Sequence, residues 1–113
     1  MSDLLQRQII FPHNISKLIT YIYVQGFHMT FGEAYRTQEQ AQWYAEHGLG
    51  IAHSLHCERL ALDLNLFDSS GNYLTDGDHY KPFGEYWKTL NPSNRWGGDF
   101  TRKDYNHFEM NDK

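Results

Sequence analysis

The chain has 113 residues, a formal net charge of −4 with neutral histidines, and a hydrophobic content of 40%. This length and composition predict a single globular domain over residues 1–113 and exclude a disordered chain. The negative charge argues against a nucleic-acid-binding protein, which would carry a basic face, and the single cysteine, Cys57, excludes an internal disulfide.

Two helices are predicted at the start of the chain. Ser2 or Asp3 is a suitable N-cap for a short first helix that ends at Pro12. Asn14 is a suitable N-cap for a second helix, which Gly26 ends. Apolar residues recur at helical spacing in this second segment: Ile15, Leu18, Ile19 and Ile22.

A strand and a third helix follow. The segment Phe27–Tyr35 is rich in aromatic and β-branched residues, which predicts a strand that leads to Arg36. Thr37 followed by Gln40 is typical of a capping box, and it predicts a helix that runs to Glu46.

The clearest strand pattern lies in the middle of the chain. After a loop over residues 48–55, leucines alternate with other residues from Leu60 to Phe67. That period of two predicts a strand with one apolar face and with Asp63 on the opposite face. The sequence Asp-Ser-Ser-Gly at 68–71 then predicts a turn.

The last third of the chain contains one more helix and two short strands. Residues 82–90 predict a helix with Pro82 in its first turn. Residues 96–100 and 106–110 predict short strands around a turn. Helices and strands that are segregated in this way predict an α+β fold, in which helices pack on a small antiparallel sheet.

Asp63 is the polar residue that most needs an explanation. A carboxylate between Leu62 and Leu64 must reach solvent, pair with another group or bind a metal, because burying it alone is costly. A solvated outer face of the sheet is the simplest of these alternatives. His56 precedes Asp63 by an odd spacing, so the two would lie on opposite faces of one straight strand. We therefore expect His56 in the approaching loop or at a bulge.

His107 offers a second imidazole on the last predicted strand. His56, Asp63 and His107 are suited to three corners of a tetrahedral Zn²⁺ site that leaves the fourth corner open, which is the form of catalytic zinc. An isolated histidine is more often an ordinary polar residue than a ligand. We apply that interpretation to His13, His28, His47 and His79, and the role of His53 stays open.

Two further residues fit a hydrolytic site. Asp104 lies three residues before His107, where a tight turn would let its carboxylate act as general base and then general acid. The alternative is an aspartate that only forms the turn. A guanidinium at Arg36 could stabilise an oxyanion. The simpler interpretation is a surface arginine beside the start of a helix. Cys57 adjoins His56, but neighbours in sequence have poor geometry for a nucleophilic dyad, so a simple thiol is favoured.

These residues match a known pattern. Ser-x-His-x-x-x-x-Ala-x-Asp at 54–63, followed by Asp-x-x-His at 104–107, resembles the zinc D,D-carboxypeptidases and the phage L-alanyl-D-glutamate endolysins, which share a fold with the hedgehog signalling domain. Glu-Ala-Tyr-Arg-Thr at 33–37 is similar to the family segment that carries a catalytic arginine. The resemblance spans residues 35–108.

The resemblance implies a role for each candidate residue. It implies that His56, Asp63 and His107 bind zinc, that Asp104 is the catalytic carboxylate and that Arg36 polarises the scissile carbonyl. It also implies peptidoglycan stem peptides as substrates. The activity would be that of an L-Ala-D-Glu endopeptidase, which we favour, or of a D-Ala-D-Ala carboxypeptidase.

Two positions depart from the family pattern. Arg59 stands where the family often has a glycine, which would allow a tight backbone turn, so the shape of this loop is in question. Asp104 stands where many members have glutamate, and its shorter side chain requires the backbone to approach the metal more closely.

The expected setting is that of a phage or prophage lytic enzyme. The N-terminal sequence lacks a secretory signal pattern, and no segment reaches the roughly 20 apolar residues of a membrane span. We expect a monomer that stays cytoplasmic until it is released to the cell wall. A non-catalytic zinc-binding module on the same fold and a metal-free structural domain are the rival interpretations.

Overall fold

The computed structural model describes residues 1–51 and 53–112, and its described part contains three α-helices and five strands. In chain order these are α1 (Asp3–Val24), β1 (His28–Phe31), α2 (Gln38–Glu46), β2 (Ala61–Phe67), β3 (Tyr73–Leu74), α3 (Gly77–Thr89), β4 (Asn94–Trp96) and β5 (His107–Met110). Short 3₁₀ turns cover Leu55–Glu58 and Gly97–Asp99. None of the helices described has the length and apolar character needed to cross a bilayer.

The strands form one antiparallel sheet with β2 at its centre. The strand order is β1-β2-β5-β4, and β3 pairs with the far end of β2. Strand β2 pairs with β5 so that Asp63 lies directly opposite His107 and Ala61 lies opposite Glu109. The predicted α+β architecture, with helices on a small antiparallel sheet, is confirmed.

The two long helices cover one face of this sheet. Leucines of β2 point into the core together with Phe108 and Met110 of β5, and Trp87 of α3 is fully buried among them. The indole Nε1 of Trp87 donates to the carbonyls of Arg95 and Glu109, at 3.1 and 3.0 Å, which ties α3 to β4 and β5. Because side chains alternate along a strand, the other face is left for polar residues of β2 and β5.

Helix α1 corrects the prediction of two separate helices. It is continuous from Asp3 to Val24 with Pro12 inside it, and Asn14 is buried in mid-helix instead of capping a second one. Ser2 is the N-cap, since its hydroxyl accepts from the Leu5 N–H at 3.1 Å. A proline inside a helix costs about 3 kcal/mol. Four buried side chains on one face of α1 offset that cost: Phe11, Ile15, Leu18 and Ile22.

The next two elements are close to their predictions. Gly26, with φ of +87°, ends α1 in a Schellman arrangement, in which the Phe27 N–H donates to the Ile22 carbonyl at 3.1 Å. Thr37 caps α2 through the Gln40 N–H, and α2 ends at Glu46 as expected. The predicted strand over residues 27–35 is shorter in the structure and covers only β1.

Two predictions for the second half of the chain were inaccurate, and one short strand was missed. Helix α3 begins at Gly77, not at Pro82, because Asp76 caps it by accepting from the His79 N–H at 3.1 Å. The strand predicted over 96–100 is β4 at Asn94–Trp96, and a 3₁₀ turn follows it. Strand β3 was not predicted, since two residues are too few for a periodic pattern.

Pro12→Ala tests the account of α1. Pro12 is exposed, so the change leaves the core packing intact while it restores a backbone N–H to the helix. We expect the free energy of unfolding to rise by about 1–2 kcal/mol, since greater freedom of the unfolded chain offsets part of the gain. Urea denaturation measures this, with the exposed helical Lys17→Ala as control. A less stable Pro12→Ala protein would contradict a helix that continues through this position.

Candidate metal centre

The sheet register brings two candidate ligands together. Asp63 and His107 are direct partners across β2 and β5, and the Nδ1 of His107 lies 3.1 Å from the Oδ1 of Asp63. The Nε2 of His56 lies 3.4 Å from the same Asp63 oxygen. One ligand atom from each of the three residues lies within 4.8 Å of the other two. The three predicted ligands therefore converge on one point.

His56 reaches this point from the 3₁₀ turn before β2, as its odd spacing from Asp63 predicted. Ser54 caps the turn by accepting from the His56 N–H at 3.2 Å. Arg59 ends it in the left-handed conformation, with φ of 59°. The turn therefore forms without a glycine, because Arg59 itself adopts the conformation that glycine would favour. Its guanidinium lies over the Tyr35 ring, 4.2 Å from the centroid.

The remaining nitrogen of each imidazole has an acceptor. His56 Nδ1 is 2.8 Å from the Ala34 carbonyl, and His107 Nε2 is 2.6 Å from Glu109 Oε1. An acceptor at one ring nitrogen leaves the other available to a metal. Two imidazole nitrogens and a carboxylate oxygen form a donor set that suits Zn²⁺. The residues present therefore fit a zinc ion.

The charges of the metal-free cluster compensate one another. Burial raises the pKa of Asp63, but hydrogen bonds from His107 and His56 outweigh it and lower the pKa to about 2. Burial lowers the pKa of His107, but hydrogen bonds to Asp63 and Glu109 outweigh it and raise the pKa to about 9. At neutral pH His107 therefore carries a proton, and its positive charge compensates part of the negative charge of the carboxylates, as a bound cation would.

Asp104 lies at the edge of the same cluster. Its Oδ2 is 3.9 Å from His107 Nδ1, and its side chain is 54% exposed. The loop before it is closed by a hydrogen bond from the Asp104 N–H to the Gly97 carbonyl at 3.0 Å. Partial burial raises the pKa of Asp104 above its usual value, and the nearby His107 opposes that rise. A carboxylate with a raised pKa is suited to proton transfer.

Arg36 reaches the site from the segment between β1 and α2. That segment continues along β2, because the Gly32 N–H donates to the Asp63 carbonyl at 2.7 Å and the Asp63 N–H donates to the Glu33 carbonyl at 2.9 Å. The Arg36 guanidinium forms an ion pair with Glu33, which raises its pKa, and it lies over the Tyr44 ring at 4.9 Å from the centroid. Glu33 and Tyr44 thus fix the direction of the guanidinium.

These side chains share one open cleft of about 910 Å³. The three candidate ligands line it together with Asp104 and Arg36, and cationic side chains of Arg95, Arg102 and Lys103 lie along it. All five predicted site residues therefore border a single space, which a substrate could enter from solvent.

The other candidates have plainer positions. His53 is exposed, with its Nε2 3.9 Å from an Asp112 oxygen, and it groups with Glu58 instead of the three ligands. The Sγ of Cys57 is 3.8 Å from the Thr37 carbonyl, as for a simple thiol. Sequence reasoning missed Glu109, which contacts His107 directly. The only available signal was that residues 107 and 109 share one face of a strand.

Comparison with known proteins gives the family. A sequence model of the family described as D-alanyl-D-alanine carboxypeptidase matches residues 47–110, which is more than half of the chain. The chain belongs to this family. It is a metallopeptidase of the D-alanyl-D-alanine carboxypeptidase family, as the resemblance of its motifs implied. A search of curated protein sequences finds no match.

Two solved structures of peptidases have similar folds. The Serratia marcescens L-Ala D-Glu endopeptidase ChiX has a TM-score of 0.64 at 20% identity, over 74% of this chain and 67% of ChiX. The vancomycin-resistance D,D-pentapeptidase VanY, in complex with Zn(II), has a TM-score of 0.62 at 18% identity, over 90% of this chain and 71% of VanY. At these identities the likeness shows a shared fold.

Zinc binding should release protons. Below pH 9 the metal must displace a proton from His107, whose metal-free pKa is about 9. We expect the dissociation constant for zinc to rise by about tenfold for each pH unit of acidification below that value, as for one displaced proton. Calorimetry in non-coordinating buffers of different ionisation enthalpy counts the protons. Zinc binding without proton release near neutral pH would contradict the charge state assigned to His107.

Gly97→Ala should disrupt the loop that carries Asp104. A Cβ at position 97 would lie 2.0 Å from the Asp104 carbonyl oxygen and 2.9 Å from the Cβ of His107, so backbone must move. We expect a loss of about 1–3 kcal/mol in the free energy of unfolding together with weaker zinc binding. Gly50→Ala is the control for stability, because its Cβ would have ordinary contacts. Equal stabilities of the two variants would contradict the close approach at Gly97.

Proposed function

We propose that the protein is a zinc-dependent peptidoglycan peptidase that hydrolyses an amide bond of the stem peptide. The observation that supports this most is the cleft itself, where two imidazoles and a carboxylate converge beside a second carboxylate and a guanidinium. Family membership supports the reaction class. The favoured target is the L-Ala-D-Glu bond.

The zinc ligands in this proposal are His56 through Nε2, Asp63 through Oδ1 and His107 through Nδ1. When bound there, zinc would polarise the scissile carbonyl and lower the pKa of a water toward about 7. The protein's part is to hold its three donors rigidly. A capped turn holds His56 near Asp63, and a ladder of backbone hydrogen bonds between β2 and β5 holds Asp63 opposite His107. None of the three donors therefore depends on a free loop.

Asp104 moves the proton. Its carboxylate is near the ligand nitrogen of His107 yet half exposed, so a substrate and a water can both reach it. It accepts a proton from the attacking water and delivers it to the leaving amine, and its raised pKa makes it a stronger base for the first of these steps. A residue that is first proton acceptor and then proton donor must be a carboxylate that does not itself bind the metal.

Arg36 stabilises the negative charge that develops on the carbonyl oxygen. Its guanidinium is fixed before substrate arrives by Glu33 and by a 3.5 Å contact with the Ser54 hydroxyl. A donor that needs no reorientation contributes most in the transition state. Asp104 and Arg36 together favour an enzyme over a non-catalytic zinc-binding module, which would need neither.

The choice of bond separates two forms of the proposal. ChiX is described as an L-Ala D-Glu endopeptidase and supports the favoured form. The family description supports the alternative, a D-Ala-D-Ala carboxypeptidase, and VanY is described as a D,D-pentapeptidase. An endolysin role in a phage or prophage, with release from the cytoplasm to the wall, stays a prediction from the sequence, as does a monomeric state.

Purified peptidoglycan tests the proposal. We expect soluble fragments with new amino termini, and mass spectrometry of them identifies the bond. Fragments that begin with D-Glu support the favoured form, whereas release of free D-Ala supports the alternative. Intact peptidoglycan after incubation with zinc-loaded protein would contradict both forms.

Asp104→Ala separates catalysis from metal binding. Without its proton acceptor the enzyme should lose about 10²- to 10⁴-fold in kcat/KM. Zinc content should remain at the wild-type level, because Asp104 is not one of the three ligands. Asp99→Ala is the matched control, since Asp99 is in the preceding loop and pairs with Lys88 at 2.7 Å, away from the cleft. An Asp104→Ala enzyme with wild-type activity would remove Asp104 from the mechanism.

A further inference from the structure

The ring of His107 is held at both nitrogens. Nδ1 is 3.1 Å from the Oδ1 of Asp63, and Nε2 is 2.6 Å from the Oε1 of Glu109. His107 and Glu109 are both buried, at 8% and 5% exposure, and they lie on the same face of β5. The carboxylate of Glu109 therefore lies on the side of the imidazole that faces away from Asp63.

The Glu109 carboxylate is in turn fixed by the sheet around it. Arg95, its partner across β4 and β5, forms an ion pair with the other carboxylate oxygen. Ala61 is its partner on the opposite side, in β2, and it is also buried. Directly paired residues in an antiparallel sheet have Cβ atoms about 5 Å apart, so a small residue at 61 leaves space for the Glu109 side chain.

A buried carboxylate is costly, and a structural ion pair does not account for this one. The Arg95 side chain is 48% exposed, whereas that of Glu109 is 7% exposed. An ion pair between neighbouring strands needs no such burial of its carboxylate, because it can form at the solvent-exposed surface. Burial instead brings Glu109 within a short hydrogen bond of His107. The corresponding nitrogen of His56 has only a neutral carbonyl, that of Ala34.

We propose that Glu109 is a positioning residue for the metal centre. Its carboxylate accepts the Nε2–H of His107 and so directs Nδ1 toward the ion. The inference rests on the proposed zinc site. A carboxylate acceptor makes the imidazole a stronger donor and fixes its tautomer and its ring orientation. Arg95 supports this role indirectly by holding the Glu109 carboxylate in place.

Zinc affinity tests the inference without any measurement of hydrolysis. We expect Glu109→Ala to raise the dissociation constant for zinc by about 10- to 100-fold, measured by competition with a chelator. Glu109→Gln keeps an acceptor of the same size but loses the charge, so it should have an intermediate value. The visible absorption of the cobalt-substituted Glu109→Ala protein should also change, because the direction of the His107 donor changes.

Two controls separate positioning from folding. Glu85→Ala removes an exposed carboxylate from α3 and should leave zinc affinity unchanged. Arg95→Ala breaks the ion pair but leaves the Glu109–His107 hydrogen bond, so it should weaken zinc binding less than Glu109→Ala does. If Glu109→Ala does not fold without metal, Glu109→Gln takes its place in the test, and it should weaken zinc binding more than Arg95→Ala does.

Two results would overturn the inference. The first is zinc affinity and a cobalt spectrum in both Glu109 variants that equal those of the wild type. The second is a loss in Arg95→Ala as large as that in Glu109→Ala, which would assign the effect to pairing of β4 with β5. Failure of the zinc site itself gives a different result, because then His56→Ala and His107→Ala would also leave zinc binding unchanged.

Discussion

The pairing of Asp63 with His107 across β2 and β5 is the constraint on which the site depends. Because side-chain direction alternates along a strand, a shift of one residue in this register would turn either Asp63 or His107 into the helical core. The same shift would expose either the leucines of β2 or Phe108 of β5. The burial of apolar side chains on one face therefore fixes the proposed metal donors Asp63 and His107 on the other, so that stability and the proposed function depend on one register.

Turns and loops bring the remaining candidate residues to the pair formed by Asp63 and His107. The residue Arg59 accepts a left-handed backbone so that His56 can fold back over Asp63, and Gly97 lets the loop before Asp104 approach the sheet closely. The extension of β1 along β2 brings Arg36 to the same cleft. Each of the five proposed site residues is thus positioned by backbone hydrogen bonds, which suits a reaction that depends on fixed donors more than on motion.

The electrostatics follow from the same arrangement. The partly buried carboxylate of Asp63 and the buried carboxylate of Glu109 lie on the two sides of one imidazole, and both are compensated by hydrogen bonds or by an arginine. Such a cluster is poised between a proton and a metal ion, since either one neutralises its negative charge. The contacts follow one another in order: Arg95 pairs with Glu109, Glu109 accepts from His107, and His107 faces the proposed metal position.

The sequence by itself determined the family, the strand over β2, the capped helix α2 and the identity of the five candidate residues. Those inferences rest on local patterns, such as the alternation of leucines and the spacing of histidine and aspartate. Only the tertiary structure decided that α1 continues through Pro12, because burial of Phe11 and Ile15 against the sheet outweighs a local penalty. Only the structure shows that Glu109 contacts His107. The sequence places the two residues on the same face of a strand, but that spacing alone does not show that their side chains meet.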